Sequence, residues 1–192
     1  MLRDCAVILA VAGVAIVALV GVALALRKSL ERERRLARTD DVTGVRNARA
    51  FHETAATEIE RARRYQHPFS VVCVDLGNRV GDELLRSAAA ALRGALRTTD
   101  LIARLGRDEF IVLLPETPSA AARIVLDKLR AGLLEVRTAA GRQIAASIGG
   151  VTFLTPPGAV DEIVRATDER VAEAKATGTV SHVTWNAVPE GR

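Results

Sequence analysis

Three acids stand where phosphate chemistry could be done. Asp75 closes the apolar, β-branched run Phe69–Val74, and Asp108 and Glu109 sit in a turn, Gly106-Arg107-Asp108-Glu109, between two further apolar runs. If those runs are neighbouring strands, the three carboxylates meet at one end of a sheet. Carboxylates so placed suit Mg²⁺, which takes carboxylate oxygens together with substrate phosphates. Such an ion stabilises the attacking and leaving oxygens of a displacement. The spacing equally fits a simpler alternative, acids solvated at a strand end and a hairpin tip. Other metal chemistry has little support. His52, His67 and His182 are scattered, without the spacing of a zinc site, and are expected on the surface or in loops. Cys5 and Cys73 form no CxxC pair, as expected of buried thiols in a reducing compartment.

The elements that must position these acids follow from periodicity. A helix is expected over Ala48–Tyr65, with Phe51, Ala55, Ile59 and Ala62 on one face and Pro68 beyond its end. Phe69–Asp75 reads as a buried strand and Gly81–Leu96 as a helix. Leu101–Arg104 and Phe110–Leu114 read as a β-hairpin. Ser119–Leu134 reads as a helix, Arg142–Phe153 as a strand, Val160–Ala176 as a helix and Val180–Trp185 as a last strand. Together they predict an α/β fold (an α+β sandwich) with helices flanking a mainly antiparallel central sheet.

The chain ahead of this domain is different. Ala6–Leu26 carries no charge. About 20 apolar helical residues cover the roughly 30 Å hydrocarbon core of a bilayer. Arg27, Lys28, Arg32, Arg34, Arg35 and Arg38 follow at once, which suits anionic lipid headgroups. A cleaved signal peptide fits less well, because the basic flank follows the apolar run instead of preceding it. The predicted organisation is a transmembrane anchor over 1–26, a charged juxtamembrane helix over 27–39, the folded domain over 40–185 and a flexible tail over 186–192. The positive-inside rule places the domain in the cytoplasm, at the inner membrane. The net charge is +4, but only 3% of residues are aromatic and no nucleic-acid-binding motif is present, so no nucleic-acid partner is expected.

Five ordered segments carry a family resemblance. Ala103-Arg104-Leu105-Gly106-Arg107-Asp108-Glu109-Phe110 resembles the GGDEF signature of diguanylate cyclases, with Arg107 in place of the second glycine. Asp41-Val42-Thr43-Gly44-Val45-Arg46-Asn47, followed by Arg49 and Phe51, is similar to that family's opening D-x-L-T-G-L-x-N-R segment. Gly81-Asp82-Glu83-Leu84-Leu85-Arg86 resembles its G-D-E-x-L-R helix, Ser147-Ile148-Gly149 its S-I-G strand, and Ala174-Lys175 with Gly178 its A-K-x-x-G close. The resemblance implies a nucleotidyl-cyclase-like domain, two of which face each other, each with GTP and Mg²⁺, to make cyclic di-GMP. It implies metal ligation by Asp75, the Leu76 carbonyl and Asp108, a catalytic role for Glu109, a guanine contact at Asp82 and a phosphate contact at Lys175.

Three departures from the pattern predict a damaged substrate site. The family's D-x-D-x-F-K-x-x-N-D-x-x-G-H stretch is replaced by Asp75-Leu76-Gly77-Asn78-Arg79-Val80. The shortfall is about ten residues, or roughly 15 Å of helix. Arg107 is expected to be strained, at about 1–2 kcal/mol, if its turn is left-handed, and to fill nucleotide space. The tyrosine before A-K is Ala172, and the R-N after the glycine is Thr179-Val180. By contrast Arg97-Thr98-Thr99-Asp100 resembles the family's R-x-x-D inhibitory site, with Lys128 at its secondary basic position. The resemblance therefore implies a degenerate domain that binds cyclic di-GMP through Arg97, Asp100 and Lys128. Mg²⁺ would be needed only if catalysis survives. The alternatives are a weakly active cyclase and a module that binds no nucleotide. A homodimer or a complex with another signalling protein is the expected assembly.

Overall fold

The computed structural model describes residues 19–22, 24, 27–28, 38–77, 80–137, 141, 143–178 and 180–185. The chain divides into two units, Met1–Ala37 and Arg38–Arg192. In the first, the described residues are helical. Most of the Ala6–Leu26 run, most of the 27–39 segment, and the 186–192 tail lie outside the described residues. Among the described residues no helix is long and apolar enough to cross a membrane.

The second unit contains β1 (Arg46–Asn47), α1 (Ala48–Tyr65), β2 (Phe69–Asp75), α2 (Asp82–Gly94), β3 (Leu101–Arg104), β4 (Glu109–Leu114), α3 (Ser119–Leu134), β5 (Ser147–Phe153), α4 (Val160–Thr177) and β6 (Ser181–Trp185). Helix α1 starts where Asn47 Oδ1 accepts the Ala50 N–H at 3.0 Å, a side-chain cap for an otherwise unpaired donor. It ends at Gln66, whose φ of 57° is left-handed, so the chain has turned away before Pro68.

The six strands lie in the order β1-β3-β4-β2-β5-β6. The expectation of a mainly antiparallel sheet needs correction: the sheet is mixed. β3–β4, β4–β2 and β2–β5 are antiparallel, while β1–β3 and β5–β6 are parallel. The parallel edge at β6 follows from its connection, because α4 carries the chain back across the sheet before β6 begins. β1 was not foreseen. A two-residue strand gives no alternation to detect, and its partner lies far along the chain. The strand expected from Arg142 begins only at Ser147, since Gln143 forms an isolated bridge with Arg137 instead.

All seven residues of β2 are buried, as befits the central strand of a sheet covered on both faces. Successive residues serve opposite layers. Val72 and Val74 join Phe110 and Val112 of β4 beneath α2 and α3, with Leu85, Leu92 and Leu129. Val71 joins Ile111 and Leu113 beneath α1 and α4, with Phe51, Ile59 and Ile163. Phe69 and Phe153 stack there at 5.1 Å between ring centroids. Cys73 is buried, as expected, and burial pushes its thiol pKa up. His182 corrects the expectation of a surface or loop residue. It sits in β6 with Nε2 2.9 Å from Thr152 Oγ1.

Candidate functional site

The antiparallel pairing of β2 with β4 sets Asp75 opposite Glu109. The Leu76 N–H donates to the Asp108 carbonyl at 3.0 Å, so the two chains stay together one step past the ladder. The three acids singled out by spacing therefore meet at one end of the sheet. Asp75 and Asp108 are each only 8% exposed. Asp75 uses both its oxygens: Oδ1 accepts the Gly77 N–H at 2.7 Å and Oδ2 accepts Lys175 Nζ at 2.6 Å. Leu76 is buried in the α2/α3 layer.

Lys175 reaches Asp75 because α4 lies unusually close to β5. A Cβ on Gly149 would fall 2.4 Å from the Val171 nitrogen and 2.5 Å from the Arg170 carbonyl carbon. Only glycine leaves room for a helix backbone at that distance. The same helix brings Asp168, two turns before Lys175 on the same face, into the charge field of the site. Burial raises the Glu109 pKa above its ordinary value. The charges of Asp75 and Asp168 add to the effect, and Lys175 opposes it. Burial also raises Asp168, again against Lys175. The hydrogen bond to Asp75 raises Lys175. Asp168 was missed in the sequence; its seven-residue spacing from Lys175 was the available signal.

The signature turn is relaxed, which corrects the expected strain at Arg107. Among the described residues only Gln66 and Glu116 are non-glycine residues with positive φ. A Cβ on Gly106 would lie 3.1 Å from Glu109 Oε2, the movable end of an exposed side chain. Arg107 is exposed. Its carbonyl accepts Arg104 Nη2 at 2.6 Å, and the Gly106 carbonyl accepts Arg104 Nε at 3.1 Å. Arg104 Nη1 also bridges both oxygens of Asp40, at 3.1 and 3.2 Å. Asp40, not the Asp41 matched by resemblance, organises the opening segment, since its Oδ1 accepts both the N–H and the hydroxyl of Thr43. Burial pulls the Asp40 pKa up, but the Thr43 and Arg104 hydrogen bonds outweigh it and hold the carboxyl low.

As arranged, the acids do not make a cradle for a divalent metal. Among the described residues no three His, Cys, Asp or Glu side chains are grouped to hold one. Both Asp75 oxygens are already engaged, one by an ammonium group. Asp108 Oδ1 is nonetheless buried without a hydrogen-bond partner among the described residues, an uncompensated acceptor of the kind that costs free energy unless something binds it. Asp82 stands apart, exposed in the first turn of α2, where a carboxylate complements the helix dipole.

On the far side of β3 the R-x-x-D loop borders a cavity of about 790 Å³. Arg38, Arg46, Arg93 and Arg97 line it with Glu53 and Asp100. Asp100 Oδ2 accepts the Arg97 N–H at 2.8 Å and so closes the loop, leaving the Arg97 side chain exposed. Lys128, expected to share this site, is exposed on α3 and does not line the cavity.

Residues 37–181 match the family described as "Diguanylate cyclase, GGDEF domain". Diguanylate cyclase DgcP of Pseudomonas aeruginosa is 38% identical over 122 residues, 58% of this chain and 18% of DgcP. Response regulator PleD of Caulobacter vibrioides is 30% identical over 168 residues, 80% of this chain and 37% of PleD. The chain thus spans well under half the length of these curated relatives. Among solved structures, diguanylate cyclase SiaD of P. aeruginosa, in complex with its activator SiaC, superposes with a TM-score of 0.69 at 26% identity. That superposition covers 87% of this chain and 72% of SiaD.

Proposed function

Because the chain belongs to the diguanylate cyclase GGDEF-domain family, and so to cyclic di-GMP signalling, we propose that it binds cyclic di-GMP without synthesising it. The observation that carries this is the arginine-lined cavity at the Arg97–Asp100 loop. A guanidinium can fork onto a phosphate or a guanine edge, and a volume of this size falls in the range of small-molecule sites. The acidic site points the same way. Its first carboxylate is occupied by Lys175 Nζ, and a short connection follows β2 where the family carries a longer one. The uncharged Ala6–Leu26 run with its basic flank supports a membrane anchor that holds the domain on the cytoplasmic side. A second copy of this chain or another signalling protein completes the proposal, as SiaC does for SiaD.

Calorimetric titration of the full chain with cyclic di-GMP tests this, with Arg97→Ala as the comparison. Binding by the wild type, weakened about tenfold or more in the variant, is expected from the loss of a charged hydrogen-bonding pair worth roughly 1.5–3 kcal/mol. No binding by the wild type ends the proposal.

A second reading, a weakly active cyclase, is favoured by one observation: the partnerless, buried Asp108 Oδ1 beside Glu109, whose pKa is raised. In that case Mg²⁺ would fall to Asp75, Asp108 and the Leu76 carbonyl once Lys175 left Asp75 for a phosphate, and Asp82 would face the base. Product formed from GTP and Mg²⁺ in a Glu109-dependent way would establish it.

A further inference from the structure

The cavity beside the R-x-x-D loop has a second wall, whose residues are far from that loop in sequence. The lead-in segment Arg38–Arg46 runs along the sheet edge. The Asn47 N–H donates to the Arg38 carbonyl at 3.1 Å, Thr39 bridges to Arg46, and Arg46 pairs with Ala103 through β1 and β3. Arg46 thereby lines the same cavity as Arg97.

The four arginines of the lining are not equivalent. Arg38 is paired with Glu53 at 3.0 Å, and Arg93 donates to the Gly44 carbonyl at 3.1 Å, so these two brace the wall. Arg46 and Arg97 are exposed, and among the described residues neither side chain has an ion pair or hydrogen bond. Two unspent guanidinium groups thus border one hollow, one from each wall. The first turn of α1, which carries no acid, lines the cavity at Ala50 and adds the positive end of a helix dipole.

We propose that Arg46 supplies the second cationic arm of the ligand site, in the position that Lys128 was expected to fill. The ligand class is a guanine nucleotide carrying two phosphodiester groups, gripped between Arg97 on the loop before β3 and Arg46 on the lead-in segment. This rests on the cyclic di-GMP reading above, and it adds a consequence. A ligand held from both walls fastens the Arg38–Arg46 segment, where the domain joins the preceding unit, onto the sheet edge.

The full chain is titrated calorimetrically with cyclic di-GMP as wild type, Arg97→Ala, Arg46→Gln and Lys128→Ala. Support consists of wild-type binding that Arg46→Gln weakens about tenfold or more while Lys128→Ala changes it less than about twofold. Melting curves establish that Arg46→Gln folds like the wild type. Limited trypsin cleavage gives an independent readout on unmutated protein, in which the ligand should protect the bond after Arg46 and leave the bond after Lys128 as it was. Binding that depends on Arg97 and Lys128 but not on Arg46, or no protection at Arg46, overturns this inference and leaves the functional proposal standing. No wild-type binding removes both.

Discussion

Replacing Gly149 by alanine adds one methyl group at the closest helix–sheet contact beside the acidic site. The added Cβ would lie 2.4 Å from the Val171 nitrogen and 2.5 Å from the Arg170 carbonyl carbon, whereas ordinary contact begins at 3.4 Å. Both obstructing atoms are backbone, so no rotamer change relieves the clash and α4 must shift by about 1 Å. That helix buries Ile163, Ala166, Val171 and Ala174, all of which lose part of their packing. Overpacking costs about 1–3 kcal/mol. The upper end applies here, about 3 kcal/mol, which in a domain of this size corresponds to a fall in Tm of roughly 6–12 °C. The shift also draws Lys175 away from Asp75, now 2.6 Å apart. Urea unfolding at neutral pH measures the effect, with Gly94→Ala as the control. Gly94 is helical, and a Cβ there would meet nothing within 4 Å, so alanine should be neutral or stabilising by about 0.5–1 kcal/mol. A Gly149→Ala midpoint equal to that of the wild type would show that α4 does not rest on β5 as described.

Three further outcomes follow from the charges. Glu109→Gln should stabilise the domain at pH 7. The folded state raises the Glu109 pKa above 4.5, so its ionised form opposes folding, and the gain should shrink as pH falls through the folded pKa; melting curves at pH 7 and pH 5 check this, and a less stable variant at pH 7 contradicts it. Lys175→Met should lower stability by about 1 kcal/mol, a value kept small because the lysine side chain is 50% exposed. The raised Lys175 pKa means that its contribution is full below 10.5 and is lost as pH climbs through the folded value; melting curves of wild type and variant should therefore converge at high pH. Arg104→Ala should cost about 2 kcal/mol by unpairing the partly buried Asp40. Against burial, the Thr43 hydrogen bonds lower the Asp40 pKa from 3.8 more than Arg104 does, so the variant keeps part of this support above that region and should lose less stability than the wild type on acidification, which acid titration of stability measures.

Long elements with strong periodicity were legible in the sequence. The bounds of α1, β2, β3 and α3 agree with the periodicity, because each buries a face whose apolar pattern spans several turns or a full strand. The convergence of Asp75, Asp108 and Glu109 was legible too, since it needed only that a hairpin lie beside a central strand. What remained hidden depends on distances between elements. β1 exists only because β3 offers it a partner. Asp168 becomes part of the site only because Gly149 lets α4 lie down on β5. Lys175 was expected to meet a phosphate, and its pairing with Asp75 depends on the same close approach. Lys128 sits at the right spacing along the chain, but α3 does not bring it to the cavity. Arg107 differs from the family glycine, yet the turn holds it without a left-handed φ, because the Gly106 and Arg107 carbonyls are tied to Arg104.

Arg104 also joins the two candidate sites physically. Its guanidinium holds the carbonyls of the signature turn on one side and Asp40 on the other, and Asp40 lies within the segment that walls the arginine cavity. A ligand that fastens Arg38–Arg46 therefore acts on Asp40, through it on Arg104, and through Arg104 on the turn bearing Asp108 and Glu109. Each link is a hydrogen bond of ordinary length, and the structure holds the path in one arrangement, so restraint is what it is expected to transmit. Coupling that switches a site needs an element with two alternative arrangements; coupling that only stills a site does not. Occupancy of the cavity should accordingly slow backbone exchange at Gly106–Glu109 without changing the geometry of the turn, and that exchange should become insensitive to ligand in Arg104→Ala even though Arg46 and Arg97 are intact.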